Sequence, residues 1–202
     1  MTKQETDCAC GIGAVNTRSP LESVCRSKTP TGGHATEARA AVASRLDGVK
    51  IFNVNGDEWD RVEDRQGWRS KDAWVGARIE AELIGGSTYE VEPGDRLCPY
   101  HSHHANEEWL LVLRGCPTLR TPEGERELAE GDVVCFRRGK DGAHQVRNAT
   151  SAPIRVLMLS TLIQPEIVEY PDSGKVGARS ADGEPLFLSR PGPRLDYWDG
   201  ED

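Results

Sequence analysis

The chain has 202 residues, of which 37% are hydrophobic, 29% are charged and 6% are aromatic, and its formal net charge is −8. This length favours one well-buried domain with extensions over two full domains. The negative charge argues against general binding to nucleic acid or to an anionic membrane, because both need a positive surface. No apolar run approaches the roughly 20 residues that cross a bilayer, so we expect a cytoplasmic protein.

The first part of the chain lacks a sustained hydrophobic period. Residues 1–45 are predicted to form a flexible extension, with one short helix near 37–46. Cys8 and Cys10 form a C-x-C pair there, which could bind a metal or oxidise, although tail thiols without a role are the simpler interpretation. Residues 46–73 are predicted to be a lead-in segment that packs on the core, with "VKIFNV" at its start as a short strand.

Residues 74–163 consist of short strand-like runs, which are "WVGARIEAEL", "STYEVE", "EWLLVLRG", "PTLRT", "RELA", "DVVCF", "HQVRN" and "IRVLMLST". Turn residues separate them, and "TPEGE" is the clearest hairpin turn. Because no helical pattern intervenes, we predict an all-β antiparallel sandwich or small barrel. Residues 164–202 are predicted to be an irregular C-terminal arm that wraps the core or a partner subunit.

The stretch "PYHSHHANEEWLLVLRG" at 99–115 concentrates side chains that bind metals. His101 and His103 are two residues apart, so on a strand both imidazoles project from one face, whereas His104 projects from the other. Glu108 opens the next apolar run and can reach the same interior from a neighbouring strand. Glu107 is the alternative carboxylate, because a bulge would reverse the alternation.

A further donor is available at His144, the first residue of the later run "HQVRN". Three neutral imidazoles and one carboxylate form a mixed nitrogen and oxygen set, which suits one divalent transition metal. This donor set is compatible with Mn, Fe, Co, Ni, Cu and Zn and does not distinguish among them. The alternative interpretation is a hydrogen-bonded polar cluster without a metal.

These residues resemble the two motifs of the cupin superfamily. The first motif appears as Gly94, six residues, His101-Ser102-His103, four residues, Glu108, six residues and Gly115, with one residue more than usual after the first glycine. The second appears as Gly131, five residues, Arg137-Arg138-Gly139, four residues, His144, three residues and Asn148. Arg137 replaces the usual proline, and the loop before the histidine is two residues longer.

The resemblance implies a cupin β-barrel or jelly roll, also called a double-stranded β-helix, with irregular N- and C-terminal extensions. It makes His101, His103, Glu108 and His144 the metal ligands and Asn148 a turn-stabilising residue. Cupins commonly pair through sheet edges, so the resemblance also implies a homodimer. The chain is similar to small bacterial cupins whose chemistry is generally unassigned.

Two classes of function follow. The first is a metal-dependent enzyme, an isomerase, lyase or dioxygenase, that acts on a small carboxylate or sugar-like substrate in the barrel. The second is a non-catalytic sensor or storage cupin that binds a sugar or metabolite. The sequence assigns no catalytic residue and gives no DNA-binding segment.

Several other side chains near the motifs have two interpretations. Cys98 could lie beside the metal as a redox-sensitive thiol, or be an ordinary small residue of a strand. Tyr100 alternates with His101 and should face away from the metal. Four basic residues could hold an anionic substrate or could belong to a solvated face, namely Arg78, Arg96, Arg147 and Lys140.

Overall fold

The computed structural model describes residues 48–201. The predicted extension at 1–45, with Cys8, Cys10 and the short helix near 37–46, lies outside the described residues. Within the described range, no helix is long and apolar enough to cross a membrane.

Strands dominate the described part of the chain. They are β1 (Arg61–Glu63), β2 (Ser70–Ala73), β3 (Ile84–Val91), β4 (Ser102–His103), β5 (Glu108–Arg114), β6 (Thr118–Thr121), β7 (Gly124–Glu127), β8 (Val133–Phe136), β9 (Gln145–Arg147), β10 (Ile154–Thr161), β11 (Glu166–Tyr170), β12 (Lys175–Arg179) and β13 (Pro185–Ser189). One α-helical turn, α1 (Val75–Arg78), follows β2, and a 3-10 turn (Lys140–Gly142) precedes β9.

The strands form three antiparallel sheets. The largest has the order β1-β2-β3-β10-β5-β8, a second has the order β13-β12-β11-β4, and the third has the order β7-β6-β9. The core lies between the inner faces of the first and third sheets, with Leu110, Val112, Val146, Val156 and Met158 at 1% exposure or less. This arrangement confirms the predicted all-β jelly roll.

Most strand predictions within residues 74–163 agree with the structure, but one prediction there and one before it are wrong. The hairpin at "TPEGE" joins β6 to β7, with Thr121 paired to Gly124. "VKIFNV" contains no strand, and "WVGARIEAEL" contains α1 instead of a strand. At α1, the backbone N–H of Ile79 donates to Val75, and Arg78 reaches the carboxylates of Asp60 and Glu58. These bonds stabilise the helical turn, whereas the apolar pattern of the sequence suits a helix and a strand equally.

The two segments that flank the predicted barrel are more regular than the sequence suggested. The lead-in segment contributes β1 and β2 to the largest sheet, where β2 pairs with β3. The C-terminal arm, predicted to be irregular, contains β11, β12 and β13. Through β11 it pairs with β4, the strand that carries His103. The arm therefore supports the histidine segment directly.

The outer face of the largest sheet carries a buried charge cluster beneath the lead-in segment. Arg155 is 2% exposed and donates to Glu90 at 2.8 Å and to Asp57 at 2.7 Å, while its guanidinium lies 4.7 Å from the centroid of the Trp59 ring. Glu90 also accepts from Lys71 at 2.7 Å. Burial opposes ionisation of Glu90, but hydrogen bonds from Lys71 and Arg155 lower its pKa to about 2.

Two local features hold the backbone on either side of His144. The loop before it folds so tightly that a Cβ on Gly142 would lie 1.7 Å from the carbonyl oxygen of Arg137, so only glycine fits there. After β9, the buried amide of Asn148 donates to the carbonyls of Val91 at 2.9 Å and Ala152 at 2.8 Å. The predicted turn-stabilising role of Asn148 is confirmed.

Glu90 is expected to make stability depend on pH in the acidic range. Its folded pKa of about 2 lies below the ordinary value of 4.5, so its stabilisation is complete above pH 4.5 and is lost as the pH falls towards 2. A shift of this size corresponds to about 3 kcal/mol. We therefore expect Glu90→Gln to lower the free energy of unfolding at pH 7 by up to about 3 kcal/mol, and to approach the wild type near pH 2.

Urea unfolding at several pH values between 7 and 2 measures this difference. Glu92→Gln is the matched control, because Glu92 lies near the same lysine at 3.9 Å but is 35% exposed. Parallel curves of unfolding free energy against pH for the wild type and Glu90→Gln would contradict the prediction.

Candidate metal centre

A pair of backbone hydrogen bonds places His101 opposite His144. The N–H of His101 donates to the carbonyl of His144 at 3.1 Å, and the N–H of His144 donates to the carbonyl of His101 at 2.9 Å. Residues paired in this way project their side chains from the same face of a sheet. The two ring centroids lie 4.5 Å apart.

His103 joins this pair through the alternation of the strand. It lies two residues after His101 in β4, and the centroids of the two rings are 5.0 Å apart. Pairing of His103 with Val168 of β11 holds this part of the backbone in place. The predicted convergence of His101 and His103 is confirmed, and His104 projects outward, where it lies 3.2 Å from Glu169.

Glu108 supplies the carboxylate from the first position of β5. It is held on both sides by backbone pairing with Phe136 and Ser160, and it is 1% exposed. Its Oε1 lies 3.7 Å from Nε2 of His103, and its Oε2 contacts Nε2 of His144. Glu107, the alternative carboxylate, points away and lies 3.7 Å from Sγ of Cys135.

Backbone carbonyls orient two of the three imidazoles. Nδ1 of His101 lies 2.9 Å from the carbonyl oxygen of Pro99, and Nδ1 of His144 lies 2.9 Å from that of Gly142. A neutral imidazole that donates from Nδ1 keeps a lone pair on Nε2. Burial, followed by the neighbouring His144 and His103, holds the pKa of His101 well below its usual value, so this ring is neutral at pH 7.

The carboxylate of Glu166 faces the outer nitrogen of the third imidazole. Its Oε2 lies 3.5 Å from Nδ1 of His103, while its Oε1 accepts the backbone N–H groups of His104 and Ala105, both at 3.0 Å. Burial opposes ionisation, but the contacts with His103, Ala105 and the Asn106 amide lower the pKa of Glu166 to about 2. Neither sequence motif indicates Glu166, since it lies in the C-terminal arm outside both of them.

Aromatic rings pack against the imidazoles. Phe136 stacks on His144 with 3.8 Å between centroids and an angle of 8° between planes. Tyr170 lies 6.1 Å from His101 at 23°. Such packing restricts rotation of the imidazoles, so each keeps the orientation that its Nδ1 partner sets.

Five buried polar atoms face one another without a hydrogen-bond partner among the described residues. They are Nε2 of His101, His103 and His144, and Oε1 and Oε2 of Glu108. Two of them, Oε2 of Glu108 and Nε2 of His144, are in contact, but when His144 donates from Nδ1 to Gly142 both atoms are acceptors. Leaving such atoms unpaired is costly, and an uncompensated carboxylate is the most costly of them. The ligand atoms of His101, His103 and Glu108 lie within 4.8 Å of one another. A bound cation would satisfy these atoms, so the residues fit a metal.

The other candidate side chains from the sequence do not point into this cluster. Cys98 belongs to the core, with Sγ 3.7 Å from Nδ1 of His101. Tyr100 projects outward, as predicted, and lies 4.0 Å below the guanidinium of Arg120. The basic residues are engaged elsewhere: Arg78 with Asp60 and Glu58, Arg147 with Glu125, and Arg96 with the Trp68 ring, while Lys140 lies in the exposed loop before His144.

Comparison with known proteins gives the fold family. The model of the cupin domain family matches residues 87–160. No curated protein matches the chain. Two solved structures, each with a TM-score of 0.58 and 26% identity, are similar to it.

The first is described as a candidate sugar phosphate isomerase from Acidithiobacillus ferrooxidans, and the alignment covers 64% of this chain and 83% of that one. The second is a sugar phosphate isomerase of the cupin superfamily from Silicibacter pomeroyi, with 65% and 82% covered. Both alignments extend beyond the residues that match the family model. The jelly-roll fold and the match of the family model identify residues 87–160 of this chain as a cupin domain.

Proposed function

We propose that this protein is a metal-dependent isomerase of phosphorylated sugars. In this proposal, His101, His103, Glu108 and His144 bind one divalent transition metal. The observation that carries the metal assignment is the convergence of five buried donor atoms that have no hydrogen-bond partner among the described residues.

The chemistry of the donor set supports a transition metal. Three imidazole nitrogens and one carboxylate form a mixed set, which Mn, Fe, Co, Ni, Cu and Zn all accept. With three neutral ligands and one anionic ligand, a divalent ion keeps a net positive charge. The site would therefore attract the oxygen atoms of an anionic or polyhydroxylated substrate.

The similarity to two structures described as sugar phosphate isomerases supports the substrate class. Interconversion of an aldose and a ketose moves hydrogen between adjacent carbons and is helped by polarisation of the carbonyl group. A bound metal would supply that polarisation. The chain's own contribution is to hold three imidazoles in fixed orientations through Pro99, Gly142 and Glu166.

A non-catalytic sugar-binding protein is the second candidate. It is favoured by the engagement of both carboxylates of the centre in structural contacts, since Glu108 faces the histidines and Glu166 accepts backbone N–H groups. A general base for proton transfer would then have to come from elsewhere in the chain or from the substrate.

The first prediction concerns metal content. Because His103 lies in the cluster and His104 faces outward, His103→Ala should weaken metal binding at least about 100-fold, whereas His104→Ala should bind metal like the wild type. Metal analysis of purified protein and titration of the metal-free protein measure this difference. Equal metal binding by the two variants would show that the metal ligands have been assigned wrongly.

The second prediction concerns turnover. Metal-loaded protein should interconvert aldose and ketose phosphates, and Glu108→Gln should reduce kcat/KM by at least about 100-fold, because loss of the carboxylate charge weakens metal binding. NMR with a panel of phosphorylated sugars detects both substrate and product, and Glu107→Gln is the control. Binding of these sugars without turnover, in metal-loaded wild type, would favour the second candidate instead.

The third prediction concerns Glu166 as a positioning residue. Glu166→Gln keeps the size of the side chain but removes the charge that faces Nδ1 of His103, so metal affinity should fall about 10- to 100-fold. Glu169→Gln, which alters a carboxylate on the outer side of the same strand, is the control. If the circular dichroism spectrum is unchanged and affinity is also unchanged, Glu166 has no positioning role.

A further inference from the structure

A basic groove lies on the outer side of the segments that carry His101 and His144. Tyr100, Gln145 and Arg147 line it, and alternation along the strands points them away from the metal centre. Its volume is about 790 Å³. Three acidic residues line it (Glu63, Glu125 and Asp172) against six basic residues (Arg61, Arg65, Arg96, Arg120, Arg147 and Lys175). The excess of three positive charges contrasts with the net charge of −8 of the whole chain.

Part of this positive charge is not neutralised within the described chain. Arg61 is paired with Asp72, Arg120 with Asp172 and Arg147 with Glu125. Arg96 lies 5.6 Å from the centroid of the Trp68 ring and Lys175 lies 4.8 Å from that of Tyr170, and neither forms an ion pair with a described residue. Cations held against aromatic rings form a surface that suits an anionic segment with aromatic side chains.

The C-terminal tail has the complementary chemistry. Residues 196–201 read "DYWDGE", with three acidic and two aromatic side chains. The segment is folded by its own bonds, since Oδ1 and the carbonyl of Asp196 accept the N–H groups of Trp198 at 3.0 Å and Asp199 at 3.3 Å. Tyr197 is 83% exposed and Trp198 is 70% exposed, and their ring centroids lie 4.8 Å apart. The turn is thus preformed and exposed, and it carries three acidic side chains.

We propose that the acidic turn of one copy of this chain occupies the basic groove of a second copy. The turn carries three acidic residues, and three basic residues of the groove form no ion pair with a described residue, namely Arg65, Arg96 and Lys175. Residues 1–47 of the sequence carry six basic and five acidic side chains, so they lack this complementarity. The tail also starts at the groove, because Nε of Arg190 donates to the carbonyl of Ser173 at 3.0 Å, and Ser173 lines it.

The neighbouring strand β13 supports an interface on the same arm. It is an edge strand of its sheet, and Leu186, Phe187 and Leu188 are 63%, 52% and 54% exposed. An exposed apolar edge strand is a site for association with another chain. A reciprocal exchange of tails gives a closed two-fold dimer with two identical tail–groove contacts, and it brings β13 close to the partner.

Sedimentation velocity of the full chain over a range of concentrations tests the proposal. Trp198→Ala removes the largest ring of the tail, and Arg96→Glu reverses an unpaired charge of the groove. Each should raise the dimer Kd at least about tenfold, and added salt should raise the Kd of the wild type. Arg138→Glu makes the same charge change in an exposed loop outside the groove and should leave the Kd unchanged.

Mixing the two variants shows whether the contact is between chains. A heterodimer of Trp198→Ala and Arg96→Glu has one intact contact, formed by the tail of the latter and the groove of the former. Trp198 and Arg96 belong to the two sides of one contact, so either substitution removes it and the second costs nothing more in the doubly altered contact. The equimolar mixture should therefore dimerise more tightly than either variant alone. Three results would overturn the proposal: a monomeric wild type, a dimer that neither variant weakens, or a mixture that dimerises no more tightly than its components. These results are expected if the groove binds the tail of its own chain, residues 1–47 or a small anion instead.

These measurements are independent of the proposed isomerase activity. None of the substituted residues contacts the histidine cluster, so metal content and turnover of the variants should remain at the level of the wild type. Loss of dimerisation with unchanged metal content supports the tail–groove contact whatever the metal centre does.

Discussion

Two backbone hydrogen bonds between His101 and His144 determine how most of the functional surface is arranged. They align two segments far apart in the sequence, so that each inward residue of one faces an inward residue of the other. The inner side of this ladder carries the imidazoles. The outer side carries Tyr100 and Gln145 at the wall of the basic groove. The candidate metal centre and the groove are therefore on opposite faces of the same pair of segments, and a slip of one residue would exchange them.

The fold could be predicted from the sequence where local signals agreed with the tertiary structure. Runs such as "EWLLVLRG" and "IRVLMLST" are long and β-rich, and they form β5 and β10 at the centre of the largest sheet. The segment "WVGARIEAEL" has an apolar pattern that fits a strand or a helix, and bonds from Arg78 to distant carboxylates favour the helical turn. Strands β11 to β13 have only five residues each and, apart from Glu166, are not buried, so their pairing depends on neighbours that the local sequence does not reveal.

The candidate site could likewise be predicted only in part. Alternation placed His101 and His103 together, and spacing selected Glu108 over Glu107. Contacts made by backbone carbonyls leave no mark in the sequence, so the roles of Pro99 and Gly142 could not be predicted. Glu166 lies in a segment whose strand structure was itself not foreseen. The outer groove was also missed, because its basic residues come from six separate places in the sequence and meet only in the folded chain.

The three imidazoles differ in what holds their outer nitrogens. For His101 and His144 the partner is a main-chain carbonyl, which persists whatever side chain is present at that position. For His103 it is the carboxylate of Glu166, outside the residues 87–160 that match the family model. In the proposed metal site, His103 is therefore the ligand whose basicity a single substitution in a peripheral strand could adjust without disturbing the barrel. Related chains with the same four inward side chains could differ in metal preference through this position alone.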